Sequence, residues 1–418
     1  MGVVLQSGAF RVFGFGLRVQ RELSVFCGLG SVLLWYLTLR RLVAERTAAT
    51  AAVFLSLDFV FLSVSSLGRS DMISLFFGMA ALAGYVLLRE RSLTLALAVA
   101  HTAAALSGIV HPNGGIATVV SLIVLTLFLD RARLRWTHLA MGVSCYAAFG
   151  AGWGLYIAEA PGLFAEQFLG NVANRLKGPI TLTGLFRGEV MRYLSAYGLE
   201  QAHGLKLVRS LLPGSYLAAI LFCAFCRDLR RRSSVLLLMF VGISISLLLL
   251  EGSKQGWYLV HLTPLFCAFM AVVANWLWDS RRIMARIATV TQAGILLLGA
   301  ASLSYSASSR NLQRLYQPTV AFLNAHVSSQ DLIFARSEFY FGLQCRTCLR
   351  DDPNLGALSG RRADYIVLEP DYDGHLAGLR AASPAVYREI EQHLDAEYRE
   401  VFRNLNYRIL KRTIRPSS

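Results

Sequence analysis

WYLVHLTPLFCAFMAVVANWLW, residues Trp257–Trp278, runs for 22 positions without one Asp, Glu, Lys or Arg. About 20 apolar residues in a helix cross the hydrocarbon core of a bilayer. Lipid offers no hydrogen-bond partner to backbone N–H and C=O groups, so such a run must satisfy them internally, as a helix. Nine further runs of the same character stand at Leu23–Leu42, Ala48–Leu67, Met72–Leu88, Leu93–Val110, Gly115–Leu129, Thr137–Ile157, Leu211–Cys226, Val235–Leu250 and Ile287–Tyr305. Gly115–Leu129 and Leu211–Cys226 are short for a span. The expected fold class is an α-helical polytopic membrane protein of about ten transmembrane helices, with a small α/β soluble domain at its C-terminus.

Composition agrees. The 418 residues are 55% hydrophobic and 16% charged, with mean hydropathy +0.48, where a soluble domain carries about 25% charged residues. The net charge of +15 raises the question of nucleic acid. No Arg/Lys run is interleaved with aromatics as a single-strand groove requires, so no nucleic-acid partner is expected. The charge is topological instead. Alternate loops collect fifteen basic residues: Arg40, Arg41, Arg46; Arg89, Arg91; Arg131, Arg133, Arg135; Arg227, Arg230, Arg231, Arg232; Arg281, Arg282, Arg286. The short loops of the other side hold two, Arg69 and Lys254. The positive-inside rule assigns the first set to the cytoplasm.

This orientation divides the chain into an outer N-terminal segment (1–22), six spans (23–157), an outer loop (158–210), four spans (211–305) and an extracytoplasmic domain (306–418). An outward N-terminus bearing Arg11, Arg18 and Arg21 runs against the rule, and one more span upstream would repair it. Arg11, in the middle of Met1–Leu17, argues against a full span there. The loop 158–210 alternates Phe164, Phe168, Leu169 and Leu176 with Arg175, Lys177, Arg187 and Arg192, the pattern of interfacial amphipathic helices. Beyond Arg310, Tyr316–Val327 reads as a helix, Leu332–Ala335 and Tyr365–Leu368 as buried strands, and Val401–Lys411 as a closing strand. Ser383 and Pro384 open a helix that places Val386, Ile390 and Leu394 on one face.

The arginine-poor turns hold the unusual polar residues: Gly68-Arg69-Ser70-Asp71, His111-Pro112-Asn113-Gly114, and Glu251 to Lys254 followed by Trp257, Tyr258, His261 and Pro264. An Asp beside an Arg at a membrane face can hold a phosphate or a metal, and a nearby His can move protons. A lone Lys in an otherwise uncharged region suits a phosphate. Each also has a plainer reading. Arg69 and Asp71 make an interfacial ion pair, His-Pro-Asn-Gly is a turn sequence, Lys254 with Trp257 and Tyr258 is an interface anchor, and His261 is a hydrogen-bonded packing residue. Cys345-Arg-Thr-Cys348 has redox spacing without a thioredoxin-like setting, and outside the cytoplasm a structural disulfide is expected. Cys223-Ala-Phe-Cys226 lies on an apolar face with no further zinc ligands.

In the order of these features the chain resembles the integral-membrane glycosyltransferases of the C-type fold, in particular the bacterial branch related to dolichyl-phosphate-mannose–protein mannosyltransferases and the aminoarabinose transferase of lipid A. The resemblance covers Phe13–Tyr305 and rests on Gly14–Leu42, Gly68-Arg-Ser-Asp71-Met72, and Lys254 with Tyr258 and Pro264. It implies a polyprenyl-phosphate-linked sugar as donor and a lipid, glycan or protein hydroxyl as acceptor. Transfer would proceed with inversion on the outer face of a bacterial inner membrane. It assigns Asp71 and His111 to catalysis, Arg69, Lys254 and Tyr258 to the donor phosphate, and Asn113 and His261 to the cavity lining. No cofactor is fixed; a divalent cation, if one takes part, has Asp71 as its ligand. The family's first span and its outer loop with the catalytic Asp have no counterpart in this sequence. A catalytically inactive membrane scaffold is therefore one alternative, and a secondary transporter is another. A transporter predicts repeat symmetry and ionisable groups at mid-membrane, whereas the polar residues here gather at one set of helix ends.

Overall fold

The computed structural model describes residues 2–165, 181–198, 205–251, 254–280, 282–308 and 310–413. The chain divides into two compact units, one of Met1–Gly14 with Arg18–Tyr305 and one of Phe15–Leu17 with Ser306–Ser418.

The first unit is helical. Its N-terminal half comprises α1 (Gly2–Phe13), α2 (Leu17–Leu39), α3 (Glu45–Leu57), α4 (Phe59–Ser66), α5 (Ser70–Leu88), α6 (Leu93–Val110), α7 (Pro112–Asp130), α8 (Trp136–Glu159) and the single turn α9 (Pro161–Phe164). Then follow α10 (Leu182–Ala196), α11 (Leu205–Phe225), α12 (Arg227–Leu250), a 3-10 turn (Gly256–His261), α13 (Thr263–Asp279) and α14 (Ile283–Ser308). All ten apolar runs are helical. Among the described residues six helices are long and apolar enough to cross a membrane, or seven if the bent pair α3–α4 is one span. The other three runs, in α8, α11 and α13, do not pass that test of length and hydropathy. Of the residues expected in interfacial helices, Phe168, Leu169, Arg175, Leu176 and Lys177 lie outside the described residues; Arg187 and Arg192 stand in α10.

The run that opened the reading is broken in two. Trp257–His261 form the 3-10 turn, and α13 begins at Thr263 with Pro264 in its first turn. Every residue from Thr263 to Ala274 is buried, so α13 is an inner helix, apolar all round. By contrast α2 and α8 leave Phe26, Leu29, Leu139 and Leu155 exposed, apolar faces suited to lipid.

Between helices, polar groups and small residues do the joining. Ser74 Oγ donates to Ser107 O and Ser107 Oγ to Ser74 O, each at 2.8 Å, tying α5 to α6. A Cβ on Gly115 would stand 2.4 Å from the Gly108 Cα, so these backbones approach closely only because both residues are glycine. The break between α3 and α4 bends the chain by 56° at Asp58. Asp58 accepts the Phe61 N–H as the cap of α4, and a hydrogen bond from the Tyr216 hydroxyl of α11. At the far end of α5, Arg89 and Arg133 close on buried Asp130.

The second unit carries a five-stranded sheet of order β2-β1-β3-β5-β4, from β1 (Ile333–Phe334), β2 (Leu349–Arg350), β3 (Tyr365–Leu368), β4 (Tyr398–Arg403) and β5 (Arg408–Arg412). β1 pairs in parallel with β2 and β3, and β5 runs antiparallel to β3 and β4. The expected single closing strand is thus a hairpin, turned where Asn404 Oδ1 accepts the N–H groups of Asn406 and Tyr407. Helices α15 (Gln317–His326), α16 (Pro370–Ala382) and α17 (Pro384–Glu397) complete the unit. Val386, Ile390 and Leu394 of α17 pack with Ile366, Leu368 and Leu410 of the sheet. Ser383 occupies the N-cap position of α17, but its side chain makes no capping bond. Cys345 and Cys348 are joined in a disulfide, while Cys223 and Cys226 are free thiols.

Candidate functional site

Three helix ends meet at one corner of the helical unit: the start of α5, the α6–α7 junction and the 3-10 turn before α13. Asp71 lies in the first turn of α5, and its side chain is fully buried. Arg69 precedes the helix in extended conformation, which swings its guanidinium back so that Nε donates to Asp71 Oδ2 at 2.8 Å. His111 sits between α6 and α7 with Pro112 behind it, since a proline opens a helix readily and pushes the preceding residue to extended backbone. That places His111 Nε2 3.5 Å from Asp71 Oδ1.

His261, the last residue of the 3-10 turn, is 4% exposed and stacks 6.2 Å from His111, ring centre to ring centre. Tyr258, one turn earlier, lies 5.1 Å from the same imidazole. One ligand atom each from Asp71, His111 and His261 fall within 4.8 Å of one another, a group that could hold a metal ion. Asp71 Oδ1 and His261 Nε2 are buried and make no hydrogen bond. Such orphaned acceptors are costly in an apolar surround unless something else satisfies them. The packing leaves little slack: a Cβ on Gly114 would lie 2.0 Å from Ser74 Oγ and 2.8 Å from His261 Cε1.

Of the residues singled out from the sequence, Arg69, Asp71, His111, Tyr258 and His261 therefore come together. Asn113 is buried in the first turn of α7, next to His111 in the chain. Lys254 goes elsewhere. Its Nζ donates to Leu247 O at 2.9 Å and Leu248 O at 2.7 Å, in the last turn of α12, and stands 3.6 Å from Glu189 Oε2. A cation there completes the exposed carbonyls and complements the negative end of the helix dipole. Burial, and then the nearby Arg192 guanidinium, draw the Lys254 ammonium below the usual lysine range.

Sequence reasoning missed three things. Arg192 of α10, with no exposed side-chain surface, pairs with Glu251 and reaches Glu189. Asp58 is buried at the helix break. Arg209 of α11 shares with Lys254 a cavity of about 530 Å³. An Asp interrupting an apolar run was a visible signal for Asp58; the two arginines looked like ordinary loop charge. Trp257 links this cavity to Asp71, because it lines the cavity and carries the Arg69 guanidinium 5.4 Å above its ring.

No family model matches this chain, and no curated protein sequence does. Solved structures do. The aminoarabinose transferase ArnT from Cupriavidus metallidurans, crystallised bound to undecaprenyl phosphate, superposes with a TM-score of 0.57 at 15% identity, covering 98% of this chain and 87% of its own. An oligosaccharyltransferase from Archaeoglobus fulgidus, crystallised with zinc and sulfate, gives 0.50 at 14% identity, covering 95% of this chain and 62% of its own. Likeness at such identity speaks for architecture. The chain is a multi-pass membrane protein with the C-type fold of integral-membrane glycosyltransferases.

Proposed function

We propose that this protein is a glycosyltransferase that moves a sugar from a polyprenyl-phosphate-linked donor to an acceptor hydroxyl, with inversion, on the extracytoplasmic face of a bacterial inner membrane. The observation that carries the reading is the Asp71–His111–His261 centre in this fold, with Asp71 and His261 buried, His111 half-buried and Arg69 beside it. ArnT with its undecaprenyl phosphate supports a lipid-phosphate donor. The oligosaccharyltransferase with zinc and sulfate supports a cation and a tetrahedral anion in such an architecture.

One carboxylate and two imidazoles form a donor set suited to zinc, and the orphaned Asp71 Oδ1 and His261 Nε2 fit a ligand role. A divalent cation held by Asp71, His111 and His261 would supply Lewis-acid stabilisation to charge building on the departing phosphate. The chain's own groups do the rest. Arg69 offers a guanidinium whose second edge can meet phosphate oxygens while Nε stays on Asp71. The acceptor oxygen bonds to the anomeric carbon as the carbon–phosphate oxygen bond breaks, the electron pair leaving with the lipid phosphate. In the metal-free centre the acceptor proton passes to the Asp71–His111 pair, where imidazole and carboxylate already face each other. Tyr258 and Asn113 shape the space around His111.

The test uses the full chain in nanodiscs with polyprenyl-phosphate sugars as donors. Wild type should transfer sugar and Asp71→Asn should lose at least about 100-fold, the usual weight of a positioned acid–base group. Undiminished transfer by the variant removes Asp71 from the mechanism. Metal analysis of the same samples should find zinc or another divalent ion in wild type and a deficit in Asp71→Asn.

A further inference from the structure

The 530 Å³ cavity has one-sided chemistry. Phe59, Val60, Val64, Ala196 and Trp257 give it apolar walls, Ser63 and Ser195 give it hydroxyls, and Lys254 and Arg209 give it two cations; among the described residues no Asp or Glu lines it. Its size is that of a small-ligand site. Apolar walls beside a guanidinium and an ammonium suit an amphiphilic anion.

The two cations are not equivalent. The Lys254 ammonium is occupied by the carbonyls of Leu247 and Leu248 and by Glu189. Arg209 is held differently. Its Cζ lies 4.1 Å from the centre of the Phe59 ring, so the guanidinium is laid against an aromatic face. Its Nε is buried and makes no hydrogen bond, and among the described residues Arg209 forms no ion pair. Gly198, in left-handed backbone at φ +69°, leaves room for the fork: a Cβ there would stand 3.3 Å from Nη2. A rigid planar cation with a spare buried N–H and no carboxylate partner is arranged for bidentate contact with a tetrahedral anion.

We propose that Arg209 is the phosphate anchor of this cavity, in place of Lys254, and that the apolar wall from Phe59 to Val64 takes the first carbons of the chain attached to that phosphate. The proposal rests on the transferase reading for the identity of the donor. The link to chemistry is Trp257, which walls the cavity and stacks under Arg69, itself paired with Asp71. Lys254 then sets the position of the loop before Trp257.

Binding decides the matter independently of catalysis. The full chain in nanodiscs free of polyprenyl lipid is titrated with a fluorescent short-chain polyprenyl phosphate. Undecaprenyl phosphate, inorganic phosphate and unphosphorylated polyprenol are the competitors. Arg209→Gln should bind roughly 10- to 100-fold more weakly, the range for losing a charged hydrogen-bond partner. Arg209→Lys, which keeps the charge and loses the fork, should fall between, and it carries the test should the Gln variant fail to fold. Competition by undecaprenyl phosphate alone identifies a lipid headgroup and supports both the anchor and the apolar wall; equal competition by inorganic phosphate identifies a free phosphate, which supports the anchor and overturns the wall. Wild-type affinity in both variants, equal competition by polyprenol, or no binding by wild type overturns it. Weakened binding in the variants with no sugar transfer from any donor would leave Arg209 standing and remove the transferase. Sugar transfer with unaltered binding in both variants would do the reverse.

Discussion

A buried carboxyl is informed by its neighbours, and two in this chain are settled in opposite ways. Asp71 has Arg69 on one oxygen and two imidazoles near the other, so every titratable neighbour it has is a basic group. Glu369, at the end of β3 in the second unit, has Arg336 at 3.3 Å, yet burial pushes its carboxyl up to about 7, with Glu338 and Asp371 adding to the push. The sign of the consequence is fixed by linkage: the folded state holds a proton that the unfolded chain releases at ordinary carboxyl pH. This contribution is complete below about pH 4.5 and is lost as pH rises through about 7. Chemical denaturation of the protein should show the second unit less stable at pH 8 than at pH 5, by on the order of 1–2 kcal/mol after allowance for screening by water. Glu369→Gln should flatten that dependence and raise stability at pH 8. An unchanged pH profile in the variant would remove Glu369 as its source.

Among elements, α10 is held in place by charge. Its Arg192 is buried against Glu251, and Glu189 reaches the Lys254 ammonium, so two ion pairs join α10 to the loop that leads into the 3-10 turn. Removing Glu251 leaves the buried Arg192 charge with only its 3.5 Å contact to Glu189; breaking such a buried pair costs roughly 3–5 kcal/mol, whereas replacing both partners with apolar groups is often neutral. Glu251→Gln should therefore lower the thermal midpoint of the detergent-purified protein by several degrees, and Arg192→Met with Glu251→Leu should recover most of the loss. A double variant as unstable as the single would show that the pair holds α10 by something other than mutual compensation. This network was not legible in the sequence because its partners lie 59 residues apart and each alone resembles loop charge. Asp58 was visible as an Asp within an apolar run, but its pairing with Tyr216, 158 residues away, was hidden by that separation. What was legible followed from lipid as solvent: apolar runs announce themselves, and Asp71, His111 and His261 stand out because so little else near them is polar. Lys254 stood out equally, but the sequence carries no sign that α12 would end within reach of its ammonium. The two-residue strands β1 and β2 lie at the limit of what a pattern can reveal, and only the first was anticipated, within a longer apolar stretch.

For the whole molecule the deciding property is sidedness. Asp71 opens α5 and Arg89 follows its last residue, about 27 Å further along a straight helix, close to the thickness of the hydrocarbon core. The two ends differ in kind. One holds Asp71, the histidines and Arg69; the other holds the Arg89–Asp130–Arg133 cluster amid the arginine-rich loops. A lipid-linked sugar displayed outside the cytoplasm can meet Asp71 only if the first end faces outward, the orientation that the positive-inside rule predicts from the arginines. Single cysteines at Leu67 and at Arg91, both exposed at opposite ends of α5 or its flanking turns, read this directly. They are placed in a chain whose free thiols Cys27, Cys145, Cys223, Cys226 and Cys267 are replaced by serine. In spheroplasts an impermeant maleimide should modify Leu67→Cys at once and Arg91→Cys only after the membrane is opened. The reverse order would put Asp71 in the cytosol, beyond reach of an extracytoplasmic donor, and no arrangement of the remaining residues would restore the proposed transfer.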